Sequence, residues 1–460
     1  MNSLNEHLEP KETHDLIVVG GGISGVCCAI AAARAGLDCL LIEKEGCLGG
    51  TACVSGVMQL LGGRRYDEQS DKMVRVVGGL FDELTDELIA RQLAIDPDTV
   101  DVHAYNPYGW YPRMAAGISC DVDALKILLE QKCLNAGVHL RYFTTVVDAA
   151  VENGRATQIV TYDKGGFSAF SAALYADCTG DADLCALCGC PTEKGRAADG
   201  AMCPATTIFY VDGVDTRAYV DYQNAHSSPK LVEIISQLKQ TGEWPYDFDI
   251  FIAIETPRPG LFMVNTLRQT GVDGTDAASL TQAAIEGREM ANALLNIMKK
   301  HFPGFQGARI SRLFDRVGIR ETRRILAREM ITLENALAGK HYPDCVATTT
   351  YNFDLPDPLR PSFDPMMGDA KHPNAARKHV TIEIPYGALL PKGADNLIVA
   401  GRCLGAEREV MGACRVMGPC AFMGQAAGRA AALARAGGTF CGVHPDELRE
   451  TLIGDGLMLP

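Results

Sequence analysis

Residues 15–51 read DLIVVGGGISGVCCAIAAARAGLDCLLIEKEGCLGGT, and this stretch decides the fold. Residues 15–19 form a short apolar run, which is typical of a strand buried on both faces. After three glycines, the alanine-rich segment 23–35 predicts a helix that ends at Gly36, and Cys39–Ile42 predicts a second buried strand. This order of elements is a βαβ unit, and it predicts a parallel sheet of the nucleotide-binding kind.

The glycines after the first strand match the GxGxxG pattern through Gly20, Gly22 and Gly25. The pattern is informative only where it follows a strand and opens a helix, and both conditions are expected here. The first glycine permits a tight turn, the second lets the backbone approach a pyrophosphate, and the third allows close packing of helix and strand. Glu43 ends the second strand, where a carboxylate binds ribose hydroxyls and disfavours a 2′-phosphate. The motif therefore predicts NAD or FAD rather than NADP.

Three further glycine-containing stretches favour FAD over NAD. Residues 44–51 read KEGCLGGT, residues 178–181 read CTGD after a later strand, and residues 396–402 read NLIVAGR. A domain that binds only NAD does not need these additional backbone approaches, whereas an extended FAD does. We therefore expect FAD, bound noncovalently.

The composition is that of a globular protein. The chain has 460 residues, of which 47% are hydrophobic and 22% are charged, and its length predicts two or three domains. Its net charge of −14 argues against a nucleic-acid partner held by a broad basic face. The N-terminal segment is acidic, unlike a secretory signal, and glycines interrupt the uncharged run 16–33, so we expect no membrane span and a reduced, cytoplasmic protein. The sequence indicates no oligomeric state.

The remaining chain predicts a nucleotide-binding domain built from both ends of the sequence. We expect residues 1–203 and 385–460 to form an FAD-binding domain, with a mixed insertion at about 63–118. A substrate or cap domain is expected over 204–384. The predicted fold class is α/β, a Rossmann-like FAD-binding domain with an inserted α+β domain. Helices are expected after an N-cap at Asp121 and over 277–300, 321–337 and 419–436.

Four stretches together resemble the FAD-dependent oxidoreductase family, whose FAD-binding fold resembles that of glutathione reductase. They are the opening stretch, YADCTGDADL at 175–184, VGIRETRRI at 317–325, and IPYGALLPKGADNLIVAGRC at 384–403 with RVMGPCAFMGQAAGRAAALA at 415–434. The similarity extends over nearly the whole chain. It implies FAD and an oxidoreductase activity but no particular substrate.

The resemblance also implies a set of cofactor-binding residues. They are Gly20, Gly22, Gly25, Glu43, Lys44, Gly49, Gly50, Thr51, Val147, Thr179, Gly180, Asp181, Gly401, Arg402 and Gly418. The glycine motif and Glu43 would hold the ADP half, and Val147 would lie where the chain passes the adenine. Asp181 is equally a candidate for a helix N-cap. Arg415 precedes the last helix, whose N-terminus and neighbouring charge would favour an anionic reduced flavin.

The 17 cysteines predict mainly small buried hydrophobes. Cys53 follows the second glycine loop, but Met58 stands five residues later, so the dithiol of disulfide reductases with this fold is absent. Cys185, Cys188 and Cys190 have a spacing that could bind a metal or cluster, with Cys178 nearby. Relatives carry small residues there and the segment resembles a packed helix, so we expect no metal.

Seven arginines lie within twenty residues, and most are expected on a solvated face. They are Arg309, Arg312, Arg316, Arg320, Arg323, Arg324 and Arg328. Arg320 lies in an apolar stretch, and arginine is favoured where carboxylates are clamped, so Arg320 and Arg415 are the candidate catalytic residues. The partner of Arg320 would be a distant acid, a backbone carbonyl or an anionic ligand. Relatives often have a His where Pro356 stands, which weakens a His acid or base; His372 and His379 are nearby alternatives.

These observations predict an FAD-dependent oxidoreductase that moves a hydride between a small organic substrate and flavin N5. The substrate would be anionic if Arg320 binds it, and the electron acceptor or donor is not indicated. Two alternatives stay open. One is a biosynthetic enzyme similar to thiazole synthase that uses NAD or FAD, and the other is a flavin electron-relay subunit of a larger redox complex.

Overall fold

The computed structural model describes residues 8–109, 117–359 and 380–460. In these ranges the strands are β1 (Pro10–Val19), β2 (Cys39–Ile42), β3 (Gln59–Leu60), β4 (Arg64–Asp67), β5 (Lys72–Arg75), β6 (Ile118–Ser119), β7 (His139–Arg141), β8 (Thr145–Glu152), β9 (Arg155–Asp163), β10 (Gly166–Asp177), β11 (Thr192–Lys194), β12 (Phe209–Asp212), β13 (Ala253–Glu255), β14 (Phe262–Val264), β15 (Arg309–Leu313), β16 (Arg323–Ile325), β17 (Cys345–Thr349), β18 (Ile382–Pro385) and β19 (Leu397–Val399). The helices are α1 (Ile23–Arg34), α2 (Thr51–Val54), α3 (Gly79–Ala90), α4 (Val122–Asn135), α5 (Asp183–Leu187), α6 (Thr216–His226), α7 (Val232–Thr241), α8 (Ala277–His301), α9 (Leu333–Ala338), α10 (Arg408–Cys414), α11 (Met417–Ala434) and α12 (Pro445–Gly454).

The main sheet is mixed and has the strand order β7-β2-β1-β10-β9-β8, with β19 beside β10. The pairs among β7, β2, β1, β10 and β19 are parallel, and β10, β9 and β8 pair antiparallel. The turn between β9 and β10 places Asp163 opposite Gly166. This is the predicted α/β fold class, and the carboxyl ends of its parallel strands meet at one edge, where such folds bind ligands.

Helix α1 lies against β1, β2 and β10, and α11 packs closely across α1. A Cβ added at Gly424 would lie 2.2 Å from the Ser24 carbonyl oxygen, and one at Gly428 would lie 2.3 Å from that of Cys28. Any side chain at these two positions would therefore push the helices apart. The small-residue pattern of the predicted C-terminal helix is explained by this contact.

The inserted segment forms its own antiparallel sheet, in the order β13-β14-β12-β15. Phe209 and Val211 point into a core that also contains residues of α8, whereas Ile208 and Tyr210 belong to a smaller cluster on the other face. The Tyr210 hydroxyl donates to the Gly56 carbonyl oxygen at 3.0 Å. The face that carries Ile208 is therefore turned toward Met58 and Val122, which belong to the same cluster.

The helix predicted over 321–337 is wrong. This segment contains β16, an extended run and the short helix α9. The Ile325 N–H donates to the Cys403 carbonyl oxygen at 2.9 Å. The Ile331 N–H donates to the Gly405 carbonyl oxygen at 3.0 Å. Distant backbone partners thus replace the i→i−4 bonds of a helix, because tertiary pairing outweighs a local propensity of a few tenths of a kcal/mol per residue.

The predicted division between residues 204–384 and the two flanking segments stays a prediction. The inserted core draws its buried residues from Phe209 to Ala308, whereas buried residues between 325 and 355 pack with the main sheet. Within the described ranges, no helix is both long and apolar enough to cross a membrane.

Candidate functional site

A cavity of about 630 Å³ lies beside the carboxyl ends of β1, β2, β10 and β19. Its volume is within the range of small-molecule and cofactor sites. Of the residues assigned from the sequence, the cavity is lined by Gly20, Gly22, Glu43, Lys44, Gly49, Gly50, Thr51, Thr179, Gly180, Asp181, Gly401, Arg402, Arg320 and Arg415. Residues spread over almost 400 positions of the chain are therefore brought to one site.

The two glycine-rich loops meet in the wall of this cavity. The Gly49 N–H donates to the Gly21 carbonyl oxygen at 2.8 Å, and a Cβ at Gly50 would lie 2.9 Å from the Gly22 Cα. Gly20 and Gly49 have φ of 100° and 103°, a region that side-chain-bearing residues rarely adopt. The wall is thus bare backbone at the N-terminus of α1, which is the usual environment of a bound pyrophosphate.

The Glu43 carboxylate joins these loops. Its Oε2 accepts from the Gly21 N–H at 2.6 Å, and its Oε1 accepts from the Glu45 N–H at 2.9 Å. Burial raises the pKa of the Glu43 carboxyl, and these two N–H bonds oppose that change. Each carboxylate oxygen can accept more than one hydrogen bond, so Glu43 retains the capacity to bind ribose hydroxyls.

Asp181 does not cap the following helix, because Ala182 is the N-cap of α5. The Asp181 carboxylate instead accepts from Thr322 Oγ1 at 2.7 Å and from Arg402 Nη2 at 3.2 Å. A Cβ at Gly180 would lie 2.7 Å from Arg402 Nη2. Gly180 therefore leaves room for a guanidinium that lines the cavity and is held in place by Asp181.

Gly25 and Val147 are assigned residues outside the cavity lining formed by the described residues. Gly25 acts through packing, since a Cβ there would lie 1.9 Å from the Gly20 carbonyl oxygen. Val147 lies at an irregularity of the β8–β9 pairing, and the preceding residues, Thr145 and Val146, line the cavity instead. The assignment of Val147 to the adenine therefore stays a prediction, with its neighbours in the cavity wall.

The start of α11 lies at the cavity, but Gly418 does not line it. Helix α11 begins at Met417 after an N-cap at Val416, and both residues are part of the lining. The Gly418 N–H donates to the Leu61 carbonyl oxygen at 2.8 Å. One N–H that we expected to face a flavin is therefore already bonded, while the positive end of the helix dipole still points to the cavity.

A second group of lining residues forms a polar part of the cavity, which we call the polar end. It consists of Thr206, Asn265, Arg320, Asp354 and Arg415. Arg320 Nη1 donates to the Pro204 carbonyl oxygen and to Thr206 Oγ1, both at 2.6 Å. Nothing in sequence spacing marks Thr206 or Asn265, whereas Asp354 lies in a stretch, residues 351–356, that resembles the family.

Arg415 and Asp354 form an ion pair in the polar end. Arg415 Nη2 donates to the Asp354 carbonyl oxygen at 2.9 Å and to its Oδ2 at 3.0 Å. Burial raises the pKa of Asp354, but Arg415, Arg320 and Arg268 lower it by more, so the net shift is downward. Asp354 is therefore ionised at neutral pH and cannot supply a proton.

No histidine among the described residues takes the position of the family's His. Pro356 occupies that position, and its carbonyl oxygen accepts from Cys203 Sγ at 3.6 Å. His372 and His379 lie outside the described residues.

The arginine-rich segment separates into paired and unpaired guanidinium groups. Six of its seven arginines form ion pairs, which are Arg309–Asp212, Arg312–Asp123, Arg316–Glu45, Arg323–Asp183, Arg324–Glu193 and Arg328–Asp395. Within the described residues, Arg320 alone of the seven has no ion-pair partner. Burial lowers the pKa of Arg320, and the neighbouring Arg268 and Arg415 lower it further.

The cysteines at 178–190 are buried in the main core. Over the described part of the chain, no three His, Cys, Asp or Glu side chains are grouped so that they could hold a metal ion. Burial raises the pKa of the Cys185 thiol well above its ordinary value and that of Cys188 to about 12. A hydrogen bond with the Cys185 side chain lowers the pKa of the Cys190 thiol. The prediction of no metal therefore depends on how the described side chains are grouped and not on their protonation.

We expect the purified protein to contain no stoichiometric iron or zinc, because these thiols are packed as hydrophobic side chains. Elemental analysis of the wild type and of Cys188→Ser checks this. Stoichiometric metal in the wild type that is lost in Cys188→Ser would contradict the prediction and would favour the electron-relay alternative.

A model of the family described as "FAD dependent oxidoreductase" matches residues 15–452 of this chain. The chain belongs to the FAD-dependent oxidoreductase family. Its cofactor is FAD, and the chain is an enzyme of this class, as the sequence predicts. The bare glycine wall, the Glu43 carboxylate and the Arg402 guanidinium fit such a dinucleotide, because they offer backbone N–H groups, a ribose acceptor and a positive charge in one cavity.

One curated protein is similar to a short segment of this flavoprotein. One curated relative, 4-oxocyclohexanecarboxylate 2-dehydrogenase of Sinomonas cyclohexanicum, is 43% identical over 49 residues, which are 11% of this chain and 8% of that enzyme. The match thus spans less than a tenth of the relative's length.

Two solved structures are similar to this flavoprotein over most of both chains. A geranylgeranyl bacteriochlorophyll reductase-like protein from Thermoplasma acidophilum is 14% identical, with a TM-score of 0.48 and coverage of 96% of this chain and 84% of that one. The p-nitrophenol 4-monooxygenase of Pseudomonas putida DLL-E4 is 12% identical, with a TM-score of 0.45 and coverage of 96% and 85%.

Proposed function

We propose that this flavoprotein transfers a hydride between a small organic substrate and N5 of FAD. The observation that supports this is the continuity of one cavity from the glycine wall to the polar end. When bound, FAD supplies a two-electron acceptor or donor at N5, and a second redox partner restores its oxidation state. Ping-pong kinetics are the expected consequence.

The residues around the glycine wall would bind and orient the cofactor. Glu43 would accept from the adenosine ribose, and the loops at Gly20–Gly22 and Gly49–Gly50 would surround the pyrophosphate. Arg402 is fixed by Asp181 and by the Ile319 carbonyl oxygen, to which its Nη1 donates at 2.7 Å. Arg402 would therefore place a positive charge beside the phosphates without losing further side-chain freedom.

The residues of the polar end would bind the substrate and stabilise the negative charge that develops when the flavin is reduced. The dipole at the start of α11 and the Arg415 guanidinium would stabilise negative charge near the reduced ring. The ionised Asp354 carboxylate holds Arg415 in place through the bonds described above. The lowered pKa of Asp354 makes it a weak base, so its role would be to hold Arg415, and proton transfer would fall to another group or to water.

Anaerobic mixing of the oxidised holoenzyme with a panel of small metabolites tests this function. We expect at least one organic compound to bleach the visible absorbance of the flavin, and deuterium at the transferred position to slow that bleaching. If no organic compound bleaches the flavin while the protein co-purifies with an iron-containing partner that does, the electron-relay alternative is correct and the hydride-transfer proposal is wrong.

A further inference from the structure

The polar end of the cavity carries more positive than negative charge. Arg268, Arg320 and Arg415 all lie close enough to Asp354 to lower its pKa. Asp354 is the carboxylate that lines the cavity with Arg320 and Arg415, and it forms its ion pair with Arg415. Among the described residues of the polar end, one carboxylate, Asp354, therefore stands against two guanidinium groups, Arg320 and Arg415, which is an environment that attracts an anion.

Glu321 does not neutralise Arg320, although the two residues are adjacent in sequence. The Glu321 Oε1 accepts from the Cys203 N–H at 2.8 Å and from Arg408 Nε at 2.9 Å. Glu321 and Arg408 are 6% and 7% exposed, so this is a buried pair with its own balance of charge. Successive residues of an extended segment point to opposite sides, which places the two side chains in different environments.

The hydrogen bonds of Arg320 reach only neutral acceptors among the described residues. Nη1 serves both the Pro204 carbonyl oxygen and the Thr206 hydroxyl. A largely buried guanidinium without a carboxylate partner is costly, and its planar fork is suited to two parallel bonds with a carboxylate. The two neutral bonds orient the fork but leave its charge unbalanced.

Two residues that line the cavity carry unsatisfied polar atoms. Asn265 Oδ1 and Arg415 Nε are buried and have no hydrogen-bond partner in the described structure. Both residues line the cavity together with Arg320. Buried polar atoms are nearly always bonded in folded proteins, so a ligand with polar groups is the natural completion of this site.

We propose that the substrate of this flavoprotein carries a carboxylate and that Arg320 binds this group at the polar end. This inference rests on the proposed function, because it specifies the substrate class of the same site. Asp354 already pairs with Arg415, so the group that is missing is one further anion beside Arg320. Arg320 is then a substrate-binding residue, and Thr206 is a positioning residue that acts by orienting the Arg320 fork.

The proposal is tested by ligand titration of the oxidised holoenzyme, which needs no turnover. The probes are benzoate, cyclohexanecarboxylate and succinate, the three corresponding carboxamides, and inorganic phosphate. Binding is read from the perturbation of the flavin spectrum and from the shift in Tm. We expect the wild type to bind at least one carboxylate more tightly than its carboxamide and more tightly than phosphate.

Arg320→Lys is expected to weaken carboxylate binding about 10- to 100-fold, because Lys keeps the charge but loses the planar fork. Its FAD content and flavin midpoint potential should equal those of the wild type. The matched control is Arg328→Lys in the same segment, whose guanidinium pairs with Asp395 and is half-exposed. This control should bind the carboxylates as the wild type does.

Several results would overturn the proposal. They are equal binding of carboxylates and carboxamides by the wild type, tighter binding of phosphate, and unchanged carboxylate affinity in Arg320→Lys. Loss of FAD from Arg320→Lys would make Arg320 a cofactor residue. A changed midpoint potential with unchanged carboxylate affinity would assign its charge to the reduced flavin.

A second variant keeps the proposal testable if Arg320→Lys does not fold. Thr206→Val removes the hydroxyl that accepts from Arg320 Nη1 and should weaken carboxylate binding at full FAD content. Unchanged affinity would contradict the proposal.

Different results would contradict the hydride-transfer proposal and the carboxylate-binding proposal. Carboxylate binding without any flavin bleaching would contradict only the hydride-transfer proposal, whereas bleaching by an uncharged substrate without carboxylate binding would contradict only the carboxylate-binding proposal.

Discussion

Gly25→Ala is expected to abolish FAD retention and to lower Tm. The added Cβ would lie 1.9 Å from the Gly20 carbonyl oxygen and 3.1 Å from Cys178 Cβ. Because the nearer atom belongs to the backbone, no rotation of a side chain can relieve the contact, and α1 must move away from the β1 turn. Overpacking of this kind generally costs about 1–3 kcal/mol or more. The turn that is displaced is the one that would surround the pyrophosphate, so binding should suffer more than folding.

The FAD-to-protein ratio after gel filtration and the Tm of the apoprotein measure the two effects. Gly454→Ala is the matched control, since no atom lies within 4 Å of its added Cβ and its φ is not in the left-handed region. This control should keep full FAD and a Tm at or slightly above that of the wild type, because Ala favours a helix over Gly by up to about 1 kcal/mol. Full flavin and wild-type Tm in Gly25→Ala would show that the turn tolerates the displacement, contrary to this prediction.

Glu43→Ala is expected to weaken FAD binding about 10- to 100-fold and to leave the fold intact. The substitution removes an acceptor for ribose hydroxyls, and hydrogen bonds to a charged group contribute about 1.5–3 kcal/mol each. It also leaves the Gly21 and Glu45 N–H groups without the carboxylate that now joins the two loops. The glycine wall should therefore become less ordered as well as less able to hold the adenosine half.

FAD that remains after extensive dialysis, together with the far-UV circular dichroism spectrum, checks this prediction. Glu43→Gln retains one acceptor oxygen and should lose less FAD than Glu43→Ala. Glu152→Ala, at the exposed end of β8, is the control that should behave as the wild type. A Glu43→Ala protein that keeps all of its flavin would refute the assignment of Glu43 to the ribose.

Predictions from the sequence were accurate where short-range patterns carry the information. Asp121 caps α4 as predicted, and its carboxylate accepts from the Asp123 and Ala124 N–H groups at 3.0 and 3.2 Å. The turn at 163–166 and the predicted helix 277–300 are also present. Capping, turn and amphipathic signals act over a few residues, so they are readable before the fold is known.

Prediction failed where long-range contacts outweigh local preference. The segment 321–337 has a composition suited to a helix, yet its backbone bonds to Cys403 and Gly405, which lie far along the chain. Val147 lies at an irregularity of the β8–β9 pairing, and its neighbour Val146 lines the cavity. No local pattern could indicate either result.

The sequence by itself determined the βαβ unit, the glycine wall with Glu43, the FAD cofactor and the family, because each depends on residues close together in the chain or on motifs specific to it. Only the tertiary structure decided which arginine of the seven is left without an acid among the described residues. Six guanidinium groups find carboxylates that lie up to 271 positions away, the separation of Arg316 from Glu45, and Arg320 finds a carbonyl and a hydroxyl instead. The charge balance of the polar end is set by which groups the fold brings together, and electrostatic interactions depend on distance in space rather than on separation in sequence.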